Sequence, residues 1–462
     1  MKFTQYYLDC LSQASYLIAD ETTGVAAVVD PRRDIQTYLD DAEVDGLDIR
    51  YVIETHFHAD FLSGHLELAE ATGAEIVFGQ AAQAEFPIRR VRTGERIALG
   101  DPDTGVVLEF RETPGHTPES ISVVVWEHGD DEEPHGVLTG DTLFIGDVGR
   151  PDLLASVGVT ADELARSLHV SLHEQLMSLP DDTKVFPAHG AGSACGKNLS
   201  TETVSTIGEQ RGTNYALAPM DVDEFIRVVT EGQSSAPGYF GFNAGLNKAD
   251  RELLDTEPPR ALSLDEVLGA QADGAVVIDT RDSADFARGH LAGSINVGLD
   301  GRFAEYVGTV VTPGTPIVIV ADPGGESEAK LRLARIGFDE IVGALDGGPA
   351  QLAERPETAQ QASRLSVPAL DDRLEHADVQ LIDVRNPGET ALGVIPGASA
   401  VPLAELRGVA ADLDLERPTV VYCAGGYRSS AGASLLRSLG ATDVSDLLGG
   451  YGAWAQAHAA AG

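Results

Sequence analysis

Apolar and polar positions follow two different rhythms along this chain. Up to about residue 250, short apolar runs are closed by polar or glycine-containing turns, the signature of strands in a layered α/β unit. Ala14-Ser15-Tyr16-Leu17-Ile18-Ala19, Ala26-Ala27-Val28-Val29 and Tyr51-Val52-Ile53 are three such runs. Val106-Val107-Leu108-Glu109-Phe110, Val137-Leu138 and Lys184-Val185-Phe186 are three more. Between them the stretch 63–71 predicts a helix stopped by Gly73, and 221–229 predicts another. The stretch from Ala236 to Asn243 reads as an irregular aromatic segment suited to walling a pocket.

From about Asp250 the rhythm changes to short strands alternating with helices, and it repeats. Val276-Val277-Ile278-Asp279-Thr280-Arg281 matches Gln380-Leu381-Ile382-Asp383-Val384-Arg385. Gly289-His290-Leu291-Ala292-Gly293 matches Gly393-Val394-Ile395-Pro396-Gly397, and Asp346-Gly347-Gly348 matches Leu448-Gly449-Gly450. A constant offset of about a hundred residues marks a tandem duplication of one α/β domain. Glu354-Arg355-Pro356-Glu357-Thr358 reads as the linker between the copies.

Composition narrows the class. With 462 residues and 43% hydrophobic content, the chain is long enough for two to four domains with substantial cores. No apolar run reaches the length of a membrane span and the first residues do not read as a signal peptide, so a cytoplasmic protein is expected. The formal charge is -41, with acids spread along the chain and lysine scarce. Such a surface repels nucleic acid and anionic lipid, and it matches the acidic proteins of salt-loving microbes. The three cysteines, Cys10, Cys195 and Cys423, are odd in number and far apart, which implies free thiols in a reducing compartment. Cys10 lies among apolar residues and reads as buried and inert.

The candidate chemistry sits in the turns. Glu54-Thr55-His56-Phe57-His58-Ala59-Asp60-Phe61 follows a strand and supplies two histidines and a carboxylate within five residues. Imidazole and carboxylate suit borderline metals such as zinc and iron. A lone His-x-His is equally compatible with a polar turn facing solvent, but the pattern recurs. Thr113-Pro114-Gly115-His116, Thr139-Gly140-Asp141 and Pro187-Ala188-His189 each follow an apolar run. If those strands end on one edge of packed sheets, the four turns converge.

The second repeat adds a different chemistry. Val420-Val421-Tyr422 runs into Cys423-Ala424-Gly425-Gly426-Tyr427-Arg428-Ser429-Ser430, followed by a helix stopped at Gly440. Turn and helix N-terminal N–H groups aimed at the sulfur favour its anionic forms, and Arg428 adds positive charge for an oxyanion. The first repeat has Val320-Ala321-Asp322-Pro323-Gly324-Gly325 at this place and no cysteine.

The set His-x-His-x-Asp, Pro-Gly-His-Thr, Thr-Gly-Asp and Pro-Ala-His resembles the metallo-β-lactamase superfamily, and both repeats resemble the rhodanese family. The resemblance implies an α/β multidomain chain: an αββα sandwich over 1–250, a Cys-less rhodanese-like domain over 251–356 and an active one over 357–462. Phe61 stands where the superfamily motif has a further histidine, which weakens a two-metal hydrolase. With Gly149-Arg150-Pro151-Asp152-Leu153, the chain resembles the persulfide dioxygenase branch fused to rhodanese.

That resemblance implies one Fe(II) per chain on His56, His116 and Asp141, with His58, Asp60 and His189 orienting ligands and waters. Arg150 is a candidate for binding a substrate carboxylate or for supporting the metal rim. Cys195 is either a small structural cysteine or a group that carries sulfur. Cys423 and Arg428 would perform sulfur transfer, with Gly425 and Gly426 cradling the substrate. The expected reaction oxidises a thiol persulfide with O2 to thiol and sulfite, and sulfane sulfur moves through Cys423 to form or use thiosulfate. Partners would be those small molecules and further copies of the chain in a homo-oligomer, with neither nucleic acid nor membrane. A glyoxalase II-type thioester hydrolase with a sulfurtransferase domain, a non-enzymatic sulfur carrier or sensor, and a structural scaffold are the competing readings.

Overall fold

Strand Gln13–Ala19 is buried at every position, because its side chains alternate between two covered faces. In the computed structural model, which describes residues 1–153, 160–197, 199–233 and 235–459, this alternation builds a four-layered first unit. One sheet holds β1 (Lys2–Leu8), β2 (Gln13–Ala19), β3 (Val25–Val29), β4 (Asp48–Ile53), β5 (Glu75–Gly79) and β6 (Arg89–Val91), in that order. The other holds β7 (Arg96–Ala98), β8 (Val107–Glu112), β9 (Ile121–Trp126), β10 (Gly136–Gly140), β11 (Lys184–Pro187) and β12 (Ser205–Thr206), also in sequence order.

Tyr16, Ile18, Ala27, Val29, Leu108, Phe110, Val123 and Phe186 fill the space between the sheets. Leu17, Ala19, Val28 and Val52 point the other way, onto helix Gln36–Asp45 through Tyr38 and Ala42. Val124, Val137 and Val185 likewise cover the far face with Leu164-bearing helix Ala161–Val170 through Ala165 and Leu168. Each fully buried Val or Leu contributes roughly 1.5–3 kcal/mol, so both covers stabilise the sheets strongly. Helix ends follow their sequence signals. Thr160 and Glu163 form a capping box, and Gly73 ends helix His65–Thr72 at φ 74°.

The second unit repeats one topology. β13 (Ala261–Leu262), β14 (Val276–Asp279), β16 (Ile295–Asn296), β17 (Ile317–Val320) and β18 (Ile341–Leu345) form a parallel sheet of order β13-β18-β17-β14-β16. β20 (Ser363–Leu365), β21 (Gln380–Asp383), β22 (Ser399–Ala400), β23 (Thr419–Tyr422) and β24 (Val444–Leu447) give the same order, β20-β24-β23-β21-β22. Arg281 clamps Asp279 and Arg385 clamps Asp383, each at 2.6 Å, so even the ion pair at the strand end is duplicated. The expected linker is pinned. Pro356–Thr358 forms a turn, and β19 (Ala359–Gln360) pairs with β15 (His290–Leu291) of the first copy.

Two expectations are corrected. Cys10 is only partly buried, because it lies in the turn between β1 and β2 and not within a strand. The aromatic segment is not one irregular wall. Tyr239 belongs to the second unit, packed on Phe338, whereas Phe240–Leu246 is a helix of the first. Among the described residues no helix is long and apolar enough to cross a membrane.

Candidate metal centre and cysteine loop

β8 and β10 both run antiparallel to β9, and β11 runs parallel to β10. The three strands therefore end on the same edge. β4, in the facing sheet, meets that edge through the Ile121 N–H bond to the Thr55 carbonyl, 2.8 Å long. The turns after these four strands deliver His56, His116, Asp141 and His189, all buried. Candidate ligand atoms of His56, His116 and Asp141 lie within 4.8 Å of one another. Asp141 Oδ2 is 3.8 Å from His56 Nε2 and 3.5 Å from His116 Nε2.

The supports around these atoms define what they can do. His116 Nδ1 is 3.0 Å from the Arg150 carbonyl, which can only accept, so the ring proton sits on Nδ1 and Nε2 offers a lone pair. His56 Nδ1 is 3.0 Å from Thr55 Oγ1, whose own proton goes to Asp30 Oδ2 at 2.8 Å. The same logic leaves His56 Nε2 as an acceptor. Asp141 Oδ1 takes His189 Nδ1 at 2.7 Å, and Oδ2 is left over. His56 Nε2 and Asp141 Oδ2 are buried and have no hydrogen-bond partner. Such orphans are costly unless a cation takes them up. This donor set, two imidazoles and one carboxylate, fits a divalent metal.

Electrostatics agree. Burial, with His58 nearby, pulls His56 well below the ordinary imidazole range and keeps it neutral. Burial opposes ionisation of Asp141, but His189, His56 and His116 outweigh it and hold the carboxyl far below its usual range.

The remaining predicted residues fall into two neighbouring groups. His58 turns away from Asp141, 3.1 Å from Asp30 and 3.4 Å from Glu54. Burial disfavours its charge, but the two carboxylates win and push it up to about 10, so it is a cation. It acts on the centre through Asp30, which also holds the Thr55 N–H at 2.7 Å. Asp30 itself occupies a left-handed backbone position, φ 49°, which costs about 1 kcal/mol and fixes its carboxylate at the strand end.

Asp60, His189 and Cys195 form the other group, again with candidate atoms within 4.8 Å. Asp60 Oδ2 is 2.7 Å from His189 Nε2, although off the axis of a hydrogen bond. Set between two carboxylates, His189 is raised well above the imidazole range despite its burial. Burial and the charges of Asp60 and Asp141 push the Cys195 thiol far up. Phe61 is buried with its ring 4.3 Å from that of His58 and 6.4 Å from that of His189. Arg150 turns its guanidinium onto Asp152, 2.7 Å away, and donates its backbone N–H to the Cys195 carbonyl at 3.0 Å.

The cysteine loop is built as a cradle. β23 ends at Tyr422, and the Gly426 N–H reaches Cys423 Sγ at 3.1 Å. Gly426 has φ 110°, a conformation that side chains resist, and this turns its N–H onto the sulfur. The thiol is 3.6 Å from Ser429 Oγ, at the start of helix Tyr427–Ser438. Gly425 lines the opening beside Cys423. Arg428 is held by Glu389 at 2.6 and 2.7 Å, and this pair keeps its charge strongly. In the first copy Val320 pairs with Asp279 as Tyr422 pairs with Asp383, so Ala321 takes the place of Cys423.

Sequence reasoning passed over Asp30, Thr55, Asn247 and Glu389. Asp30 and Thr55 had a signal, a polar residue directly after an apolar strand. Asn247 and Glu389 had none. Asn247 donates to the His58 and Phe61 carbonyls from 186 or more residues away in sequence.

The model of the metallo-beta-lactamase superfamily matches residues 8–189, and that of the rhodanese-like domain matches 263–354 and 366–457. Human persulfide dioxygenase ETHE1, mitochondrial, is 29% identical over 46% of this chain and 75% of its own length. A hydroxyacylglutathione hydrolase of Polaromonas sp. is 34% identical over 38% of this chain and 61% of its own. The crystal structure of a metallo-beta-lactamase from Staphylococcus aureus subsp. aureus COL superposes with a TM-score of 0.67 at 32% identity. It covers 74% of this chain and 98% of the other.

Proposed function

The chain belongs to the metallo-β-lactamase superfamily, with two tandem rhodanese-like domains behind that fold, and on this premise we propose that it is a persulfide dioxygenase coupled to sulfur transfer. The first domain, 1–250, would oxidise a thiol persulfide with O2 and water to thiol and sulfite. The cysteine-bearing copy, 357–462, would move sulfane sulfur through Cys423 to form or use thiosulfate, and the Cys-less copy, 251–356, cannot itself carry it. The observation that carries the reading is the orphaned pair of His56 Nε2 and Asp141 Oδ2 grouped with His116, in one chain with a cradled, buried Cys423. The likeness to human persulfide dioxygenase supports it.

One Fe(II) per chain is the proposed metal, and when bound it would supply a site where O2 and the persulfide sulfur meet. The chain's own residues do the rest. Thr55 and the Arg150 carbonyl hold the two imidazoles with Nε2 forward, and His189 holds Asp141 so that one oxygen faces the same point. A second metal is disfavoured because both nitrogens of His189 already face carboxylates, its charge is stabilised, and the Phe61 ring offers no donor. Arg150, locked to Asp152, would support the rim, and buried Cys195 would line the persulfide's approach. Cys423 would attack a sulfane sulfur as nucleophile, with the Gly426 N–H and Arg428 beside the developing charge. The free cysteines suit a reducing cytoplasm, and the acid-rich surface suits high salt.

The hydroxyacylglutathione hydrolase relatives keep a second reading, thioester hydrolysis, on the same scaffold. Anaerobic purification with metal quantification, followed by O2 uptake with a panel of thiol persulfides, separates the two. One iron per chain with O2-dependent sulfite formation is expected. Two zincs per chain with thioester hydrolysis and no O2 uptake overturns the proposal.

A further inference from the structure

The cavity in front of Cys423 is not made by the cysteine-bearing copy alone. About 350 Å³ in volume, it is lined by Cys423, Gly425, Tyr427 and Arg428 and, from the Cys-less copy, by Gly301, Arg302 and Tyr306. The contact between the copies is built in. Ser430 Oγ donates to Asn296 Oδ1 at 2.6 Å, Ser434 Oγ accepts the Asn296 N–H at 2.9 Å, and Tyr427 Oη bonds the Gly298 carbonyl. Tyr306 stacks obliquely on Tyr427, ring centroids 5.3 Å apart.

The side chains facing this cavity share a chemistry. Arg428 is steadied by Glu389, and Arg302 by Glu305, neither of which lines the cavity. Carboxylates therefore hold both guanidiniums from outside the cavity that the thiol opens onto. Tyr306 feels the charges of both Cys423 and Arg428. Burial, then Glu305, pushes its phenol up to about 12, so it stays protonated and able to donate at neutral pH. Two cations and a hydroxyl donor around a thiol select a small anion.

We propose that the Cys-less copy completes the sulfur-transfer site, with Arg302 and Tyr306 as positioning residues that hold the oxygen atoms of a sulfur oxyanion, sulfite or the sulfonate end of thiosulfate, against Cys423. The inference rests on the sulfur-transfer reading above and gives the Cys-less copy a task in it. In the forward step the sulfite sulfur attacks the outer sulfur of the Cys423 persulfide. The bond from that sulfur to Sγ breaks, its electron pair returns to Cys423 as thiolate, and the new S–S bond makes thiosulfate. No oxidant or reductant is consumed. Both partners are anions, and the guanidiniums of Arg302 and Arg428 offset their repulsion.

The test uses the full-length chain in steady-state sulfur transfer to cyanide, with two donors: thiosulfate, and a small alkyl persulfide that lacks a sulfonate. Arg302→Ala should raise the thiosulfate KM on the order of ten- to a hundredfold, the loss of one charge-assisted contact. The alkyl persulfide KM should rise by a much smaller factor, since that donor has no sulfonate for the contact to hold. Arg302→Lys should recover part of the thiosulfate KM, and Tyr306→Phe should raise it by a smaller factor. An unchanged thiosulfate KM in Arg302→Ala, or equal losses with both donors in Arg302→Ala and Arg302→Lys, overturns the inference. If the wild-type chain transfers no sulfur from either donor, the reading of Cys423 falls first and this inference with it.

Discussion

Gly149 is the tightest point of the candidate metal centre, and Gly149→Ala is the sharpest test of how the centre is held. A Cβ at this buried position would lie 1.8 Å from the Asp141 carbonyl oxygen and 3.1 Å from the His116 Cβ. Real Cβ contacts essentially never come under 3.0 Å, so the Asp141 carbonyl or the 149 backbone must move by about 1.2 Å. Neither has slack. The Asp141 carboxylate is tied to His189, and the next residue, Arg150, holds His116 Nδ1 with its carbonyl and the Cys195 carbonyl with its N–H. The shift therefore reaches two of the three proposed ligands. Catalytic constellations tolerate about 0.5 Å, and a misplacement near 1 Å costs about a hundredfold in rate. The assay is iron content after anaerobic reconstitution, by competition with a chelator, together with O2 uptake on a persulfide. Iron affinity and O2 uptake should both fall, the latter about a hundredfold. Sulfur transfer through Cys423, in the other unit, should stay at the wild-type rate, and circular dichroism matching wild type should report that the first unit is folded. A Gly149→Ala protein that binds iron as tightly as wild type and consumes O2 at a similar rate would refute the geometric argument.

Three further outcomes are expected. Cys423→Ser should leave O2 uptake intact but stop at sulfite, because a serine hydroxyl cannot carry sulfane sulfur; thiosulfate release at the wild-type rate above a protein-free control would count against Cys423 as carrier. Asp30→Asn should destabilise the first unit by about 3–5 kcal/mol in urea unfolding, since it leaves the buried His58 cation short of a partner, and should weaken metal binding about ten- to a hundredfold; unaltered stability would remove Asp30 from the support of the site. His290 is buried against Phe286, and burial pulls its pKa down to about 4, so the unfolded chain binds a proton between about pH 6.5 and 4 that the folded chain refuses. Its stabilisation is full above pH 6.5 and is lost as pH falls toward 4, about 2 kcal/mol by pH 5. Urea titrations at pH 7 and 5 should show a steeper loss in wild type than in His290→Gln, and parallel losses would disprove the assignment.

The sequence alone carried the turn motifs, the strands that precede them, the duplication and the missing cysteine of the first copy, because each is local. An apolar run followed by Thr-Gly-Asp or Pro-Ala-His needs only a few adjacent residues to be recognised. The stop at Gly73 and the cradle glycine Gly426 were legible for the same reason, since a positive φ is written into the residue type. Convergence was not legible. That β8, β10 and β11 end on one edge follows from sheet order, which depends on long-range pairing. The tertiary structure alone decided which groups face one another: His58 turns to Asp30 and Glu54, while His56 and His116 face Asp141. It alone brought Cys195 to Asp60 and His189. It also set Arg302 and Tyr306 beside a cysteine more than a hundred residues away. Burial is the physical reason in each case. A buried donor or acceptor must find a partner wherever the fold provides one, and that search runs across space without regard to separation along the chain.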